Sequence, residues 1–159
     1  MSDMQSDEHG GGLRGLLDVQ AIRLDERAAG RFEAVHRCGQ VLVEIGAVDS
    51  SYIEAMLKRE HDISTYVGEG VAIPHSTNAG KQAVLRDALA VLRFPETVDW
   101  DGFPVTLCVA IAARGEGHIE ILGELAEILL DPDRASELRG ATDPEEVIRL
   151  LQPSGKEPS

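Results

Sequence analysis

The sequence predicts an α/β fold, a three-layer sandwich in which a mixed central β-sheet is flanked by helices on both faces. Two observations carry this. Residues Val105 to Ala112 read Val-Thr-Leu-Cys-Val-Ala-Ile-Ala, apolar with little alternation, as expected of a strand covered on both faces. Segments with helical spacing stand before, between and after the β-like runs, so helices are available for both sides of a sheet. With 159 residues, 43% of them hydrophobic, the chain can bury one core and has little left for a second. Met1 to about residue 15 is polar and Gly-rich, and 153–159 is rich in Pro and charge; both are expected to be flexible tails around a domain over 16–152.

Each element has its own signal. Val19 to Leu24 reads as a short first strand. Ala28, Phe32, Val35, Cys38, Leu42 and Ile45 then recur at spacings of three and four, an amphipathic helix that Gly46 ends. Ser51-Tyr-Ile-Glu54 has the capping-box pattern, in which Ser and Glu satisfy each other's orphan backbone donors, and it opens a second helix to about His61. Three β-like runs follow, Val71 to Pro74, Ala88 to Phe94 and Val105 to Ala112, with a turn-rich Pro74 to Gly80 after the first. His118, Ile121, Leu122, Leu125 and Leu129 share one helical face, opposite Glu120, Glu124 and Glu127. Asp131-Pro132 and Asp143-Pro144 each place an Asp cap before Pro at a first helical position and open two short helices, ending near Gly140 and Leu151.

Composition narrows the function. Lys and Arg total 15 against 28 Asp and Glu, a formal charge of −13, which repels nucleic acid and anionic lipid alike. Such a surface steers basic partners into encounter, and it also serves solubility alone. Cys38 and Cys108 are too few for a disulfide scaffold and sit in apolar runs, so they read as reduced core residues. The opening residues are not those of a secretory leader, and no apolar run approaches ~18 residues, so a cytoplasmic protein with no membrane insertion is expected.

Of the five histidines, His9 lies in the tail, and His36 and His61 lie on predicted helices among charged neighbours, as solvated side chains would. His75 follows the apolar run Val71-Ala72-Ile73-Pro74 directly, at a strand end, where rigid scaffolds present reactive groups. From spacing alone an ordinary turn explains Pro74-His75 equally. His118 stands in the first turn of its helix on the apolar stripe; it fits a core histidine, and it also fits a phosphoryl site beside unpaired N–H groups and the positive end of the helix dipole. Imidazole suits phosphoryl carriage because, with a reference pKa of ~6.5, it is largely neutral and nucleophilic near neutral pH.

The stretch Thr65-Tyr-Val-Gly-Glu-Gly-Val-Ala-Ile-Pro-His75 resembles the active-site signature of the mannitol/fructose class of enzyme IIA domains of the sugar phosphotransferase system. Tyr52-Ile-Glu-Ala-Met-Leu-Lys-Arg-Glu60 and Ile111-Ala-Ala-Arg-Gly-Glu-Gly-His-Ile119 extend the resemblance and look more like its mannitol branch than its nitrogen-regulatory branch. The resemblance implies that His75 accepts the phosphoryl group on Nε2 and that His118 stabilises the transferring group. It places Arg59 as a phosphoryl clamp, a role that suits a planar, always-charged fork; by spacing alone Arg59 is an ordinary surface cation. It further implies HPr as donor, a cysteine of a separate IIB or IIBC component as acceptor, uptake of a sugar or sugar alcohol such as mannitol, and no cofactor or metal. One departure stands out: the family usually has Gly after the active histidine, and this chain has Ser76.

Other classes fit less well. The chain has no His-x-x-x-His and no Cys-x-x-Cys for a metal, and Gly68-x-Gly70 is not followed by the Lys of a nucleotide-cradling loop. Two alternatives share the fold: a regulatory IIA-like protein of the nitrogen-related branch, and a phosphate-independent binding module.

Overall fold

The computed structural model describes residues 15–114 and 117–151, apart from the side chains of Gly117 and His118. The tails expected over 1–15 and 153–159 lie, Gly15 excepted, outside the described residues, as does His9. In chain order the elements are β1 (Leu17–Arg23), α1 (Arg31–Glu44), α2 (Ser51–Asp62), β2 (Tyr66–Gly68), β3 (Val71–Ala72), a 3-10 helix (Asn78–Ala83), β4 (Ala88–Trp100), β5 (Phe103–Ala112), α3 (Gly117–Leu129), α4 (Pro132–Arg139) and α5 (Pro144–Leu150).

The five strands form one sheet in the order β1-β4-β5-β3-β2. β1 pairs parallel with β4 and β3 parallel with β5, whereas β4–β5 and β2–β3 are antiparallel, so the sheet is mixed. Side chains alternate across it. Ala88, Ala90, Leu92, Cys108, Ala110 and Ala112 share a core with Ala34, Val35, Cys38, Val41 and Leu42 of α1 and Tyr52 and Met56 of α2. Leu89, Val91, Leu107, Val109 and Ile111 face a second core with Ile121, Leu125 and Ile128 of α3, Leu138 of α4 and Val147 of α5. Both faces of β4 and β5 are therefore apolar, which is why β5 shows no polar alternation. The three-layer sandwich is as expected. Cys38 and Cys108 are both free and buried.

Local chemistry sets the ends. Gly46 has φ +78, and the N–H groups of Gly46 and Ala47 reach the carbonyls of Val43 and Leu42, the hydrogen-bond pattern that closes a helix where only a residue tolerant of positive φ is unstrained. Asp131 and Asp143 accept from the backbone N–H two residues on, ahead of Pro at the first helical position.

Several expectations are corrected. Ser51 does not cap α2 as a box with Glu54; Ser51 is already helical, and the carboxylate of Asp49 accepts from both the Ser51 N–H and hydroxyl. An Asp two residues earlier reaches these donors without the Ser side chain having to fold back. α1 starts at Arg31, after the extended Gly30, three residues later than Ala28. The run Val71 to Pro74 is strand only over Val71–Ala72, and β2, a three-residue edge strand, precedes it. β4 continues six residues past Phe94 to Trp100, with its register broken between Arg93 and Val98 around Pro95, which has no N–H to give a ladder.

Candidate active site

β3 and β5 run parallel, and their C-terminal ends point the same way and lie side by side. The Ile111 N–H donates to the Pro74 carbonyl at 2.9 Å, carrying the ladder one step beyond β3 and fixing the residue before His75. Pro74 can occupy this place because its carbonyl is used and it has no donor to leave unpaired. His75 Nδ1 is 2.8 Å from the Ile73 carbonyl oxygen. A carbonyl can only accept, so Nδ1 carries the proton, and the neutral ring has its lone pair on Nε2. The half-buried imidazole is thereby held in one tautomer by the carbonyl two residues before it.

Beyond His75, the Thr77 hydroxyl accepts from Gly80 N–H and opens the 3-10 helix that carries Lys81. Tyr52, His75, Ser76, Lys81, Ile111 and Ala113 line a recess of about 10 Å³. That is room for about one water molecule, far short of a nucleotide or a sugar ring. Tyr52 comes from the first turn of α2, is 2% exposed and donates its hydroxyl to the Ile111 carbonyl at 2.7 Å. Burial pushes the phenol pKa up, so the group stays protonated and able to donate.

Ser76, the departure from the usual Gly, fits because position 80 is itself Gly. A Cβ at Gly80 would lie 3.0 Å from both Cβ and Oγ of Ser76 and 2.4 Å from Cβ of Ala55 on α2. The Ser76 hydroxyl turns to the Thr77 carbonyl at 2.8 Å. The extra side chain at 76 thus occupies space that the missing side chain at 80 leaves.

The other candidates are placed differently. Arg59, near the end of α2 and half-buried, donates to the Ile63 carbonyl and is not among the residues lining the recess. His118 is the second residue of α3, which begins four residues after Ala113; its side chain lies outside what the structure describes. His36 and His61 are exposed. Sequence reasoning gave no role to Tyr52 or Lys81, which reach the recess from α2 and the 3-10 helix. The signal for Lys81 was slight, a cation six residues beyond His75.

Behind the site lies a buried carboxylate. Glu60 is 1% exposed; Oε1 accepts from the N–H and hydroxyl of Thr65, Oε2 accepts from Trp100 Nε1 at 2.9 Å, and Arg31 Nε is 3.8 Å away. Thr65 in turn accepts from the Ile73 N–H at 3.0 Å, so Glu60 secures the start of the segment that ends in His75. Among the described residues no group of three His, Cys, Asp or Glu side chains is arranged to hold a metal, and no helix is long and apolar enough to cross a membrane.

Known proteins share this arrangement. The profile of the family described as phosphoenolpyruvate-dependent sugar phosphotransferase system, EIIA 2, matches residues 15–153. The mannitol-specific phosphotransferase enzyme IIA component of Staphylococcus aureus is 37% identical over 137 residues, covering 86% of this chain and 95% of that protein. The multiphosphoryl transfer protein of Escherichia coli O157:H7 is 38% identical over 136 residues, 85% of this chain, but the chain spans only 36% of that protein. A solved complex of enzyme IIAMTL and phosphorylated enzyme IIBMTL from Escherichia coli superimposes with a TM-score of 0.79 at 34% identity, covering 86% of this chain and 98% of that one. With a sheet and helices arranged alike and a profile match over all the described residues, the chain belongs to the EIIA 2 family of the phosphoenolpyruvate-dependent sugar phosphotransferase system.

Proposed function

We propose that this protein is a cytoplasmic phosphocarrier, the IIA component of a mannitol phosphotransferase system, with residues 16–152 as its functional domain and His75 as the acceptor. The observation that carries the reading is the His75 Nδ1 contact with the Ile73 carbonyl, which leaves the Nε2 lone pair as the nucleophile. Nε2 attacks the phosphorus of phospho-HPr; the new P–N bond forms as the donor's P–N bond breaks and the donor nitrogen takes back its electron pair. The Nδ1 proton stays where it is. In the second step a thiolate of a separate IIB or IIBC component attacks the phosphorus and the His75 ring leaves neutral. Such transfer is mostly positioning and charge stabilisation, and no cofactor or metal takes part.

Around the acceptor, Lys81 supplies positive charge at the recess. Arg59 is the phosphoryl clamp, reaching the transferring group once it releases the Ile63 carbonyl, and His118 stabilises that group from the first turn of α3. The mannitol assignment rests on the names carried by full-length relatives at 34–37% identity, and the IIB acceptor on the partner in the solved Escherichia coli complex. A net charge of −13 favours a basic donor face and disfavours nucleic acid.

The test is intact-mass spectrometry at mildly alkaline pH after incubation with phosphoenolpyruvate, enzyme I and HPr. Wild type should gain one acid-labile phosphoryl group and His75→Ala none. No gain on wild type, with the donors active on a control, would overturn the assignment; a group that stays on His75 when a mannitol IIB is added would point to the regulatory branch.

A further inference from the structure

We propose that Tyr52 is a positioning residue for His75, its hydroxyl fixing the end of β5 to which the residue before the histidine is bonded. This rests on the reading of His75 as acceptor. The case is geometric. A phenol has one proton to give and two lone pairs to receive, and Tyr52 uses it at a single place. It donates to the Ile111 carbonyl at 2.7 Å, and the N–H of that same Ile111 donates to the Pro74 carbonyl at 2.9 Å. Pro74 is therefore referred through Ile111 to the Tyr52 hydroxyl, and His75 follows it directly. On the other side of the histidine, Ser76 lines the same recess as Tyr52 and Ile111.

Packing alone would not call for the hydroxyl. Tyr52 is 2% exposed among Ala, Val, Leu and Met side chains, where Phe fills nearly the same volume without a buried polar atom. The hydroxyl is found at the one part of that core which borders the recess holding His75 and Lys81. Nδ1 to Ile73 and Ile73 N–H to Thr65 hold the segment on the N-terminal side of the ring. Tyr52 adds a restraint from α2, through the carbonyl of the β5 residue whose N–H holds Pro74.

Tyr52→Phe tests this, with Tyr66→Phe as a matched control that removes a tyrosine hydroxyl from β2. In single-turnover transfer from phospho-HPr, Tyr52→Phe should lower the saturating rate about 10-fold, with the half-saturating donor concentration changed less than about 2-fold, because alignment and not docking is lost. Nitrogen-15 spectra of the unphosphorylated protein should show the His75 ring nitrogens of Tyr52→Phe moved from the wild-type Nδ1–H pattern toward a mixture of tautomers. Tyr66→Phe should match wild type in both. A Tyr52→Phe protein that melts earlier yet keeps the wild-type rate and His75 spectrum would overturn the proposal and leave Tyr52 a core residue. If wild type accepts no phosphoryl group while Tyr52→Phe still alters the His75 spectrum, positioning stands and the acceptor reading falls.

Discussion

Replacing Gly80 by Ala should reveal how tightly the 3-10 helix is wedged between α2 and the turn after His75. Gly80 is not among the glycines with positive φ, so an L side chain is allowed there by the backbone. On backbone grounds alone the change would stabilise by about 0.4–1 kcal/mol, through a less flexible unfolded chain. The packing reverses that sign. The new Cβ would sit 2.4 Å from Ala55 Cβ and 3.0 Å from Ser76 Cβ and Oγ, and neither neighbour is the far end of a flexible side chain. Carbon atoms are in good contact at 3.5–4.0 Å, so the 3-10 helix or α2 must move by about 1 Å, at a cost of about 1–3 kcal/mol. The movement falls on Ser76, the residue beside the proposed acceptor, and misplacement of that size lowers transfer by about 10- to 100-fold. Urea unfolding and single-turnover transfer from phospho-HPr read the two effects. In a double-mutant cycle with Ala55→Gly, which removes the atom struck first, part of both losses should return. A Gly80→Ala protein as stable as wild type or more so, transferring at the wild-type rate, would refute the reasoning.

The remaining predictions draw on other parts of the structure. Glu60→Ala strips the acceptor from Trp100 Nε1 and from both donors of Thr65, all buried, and should lower the unfolding free energy by about 3 kcal/mol or more in urea; a loss under about 1 kcal/mol would mean that water replaces the carboxylate. Asp49, which receives the Ser51 hydroxyl and N–H, has its pKa held below its ordinary 3.8 by those hydrogen bonds. A depressed carboxylate adds stability above its unfolded value and loses it as pH falls through the folded one, so the advantage of wild type over Asp49→Asn in thermal melts should be full near neutrality, shrink below 3.8 and vanish at lower pH; a difference independent of pH would refute this. Lys81→Met should slow transfer from phospho-HPr, with Lys81→Arg recovering much of the rate, and equal rates for all three would remove Lys81 from the site.

What the sequence determined by itself is what depends on neighbours within one segment. Helical spacing located the long helices, since each buries a stripe its own residues define, and Asp-Pro marked both short ones because cap and φ are local. The unbroken apolar run of β5 announced a doubly covered strand, and with it the three layers. His75 at a strand end was legible as a candidate, and its resemblance to a family motif gave it a role. The Asp101-Gly102 dipeptide, a local turn signal that the reading of the run as Ala88 to Phe94 passed over, has φ of +56 and +96 and turns β4 into β5.

Only the tertiary structure decided the rest, because it depends on residues far apart in the chain. β2 is three residues long and exists through its pairing with β3, so no window of sequence contains its reason. Glu60 looks like one more charge on an amphipathic helix until Trp100, 40 residues on, closes over it. Ser76 is a departure with no visible compensation until the 3-10 helix sets Gly80 against it. Tyr52 is an aromatic on an apolar stripe until Ile111, 59 residues away, turns its carbonyl toward the phenol and makes one hydroxyl a brace for the turn that holds His75. Patterning along the chain fixes which face of an element is buried; which polar atoms meet there follows from the order in which the strands assemble, and that is where the site was made.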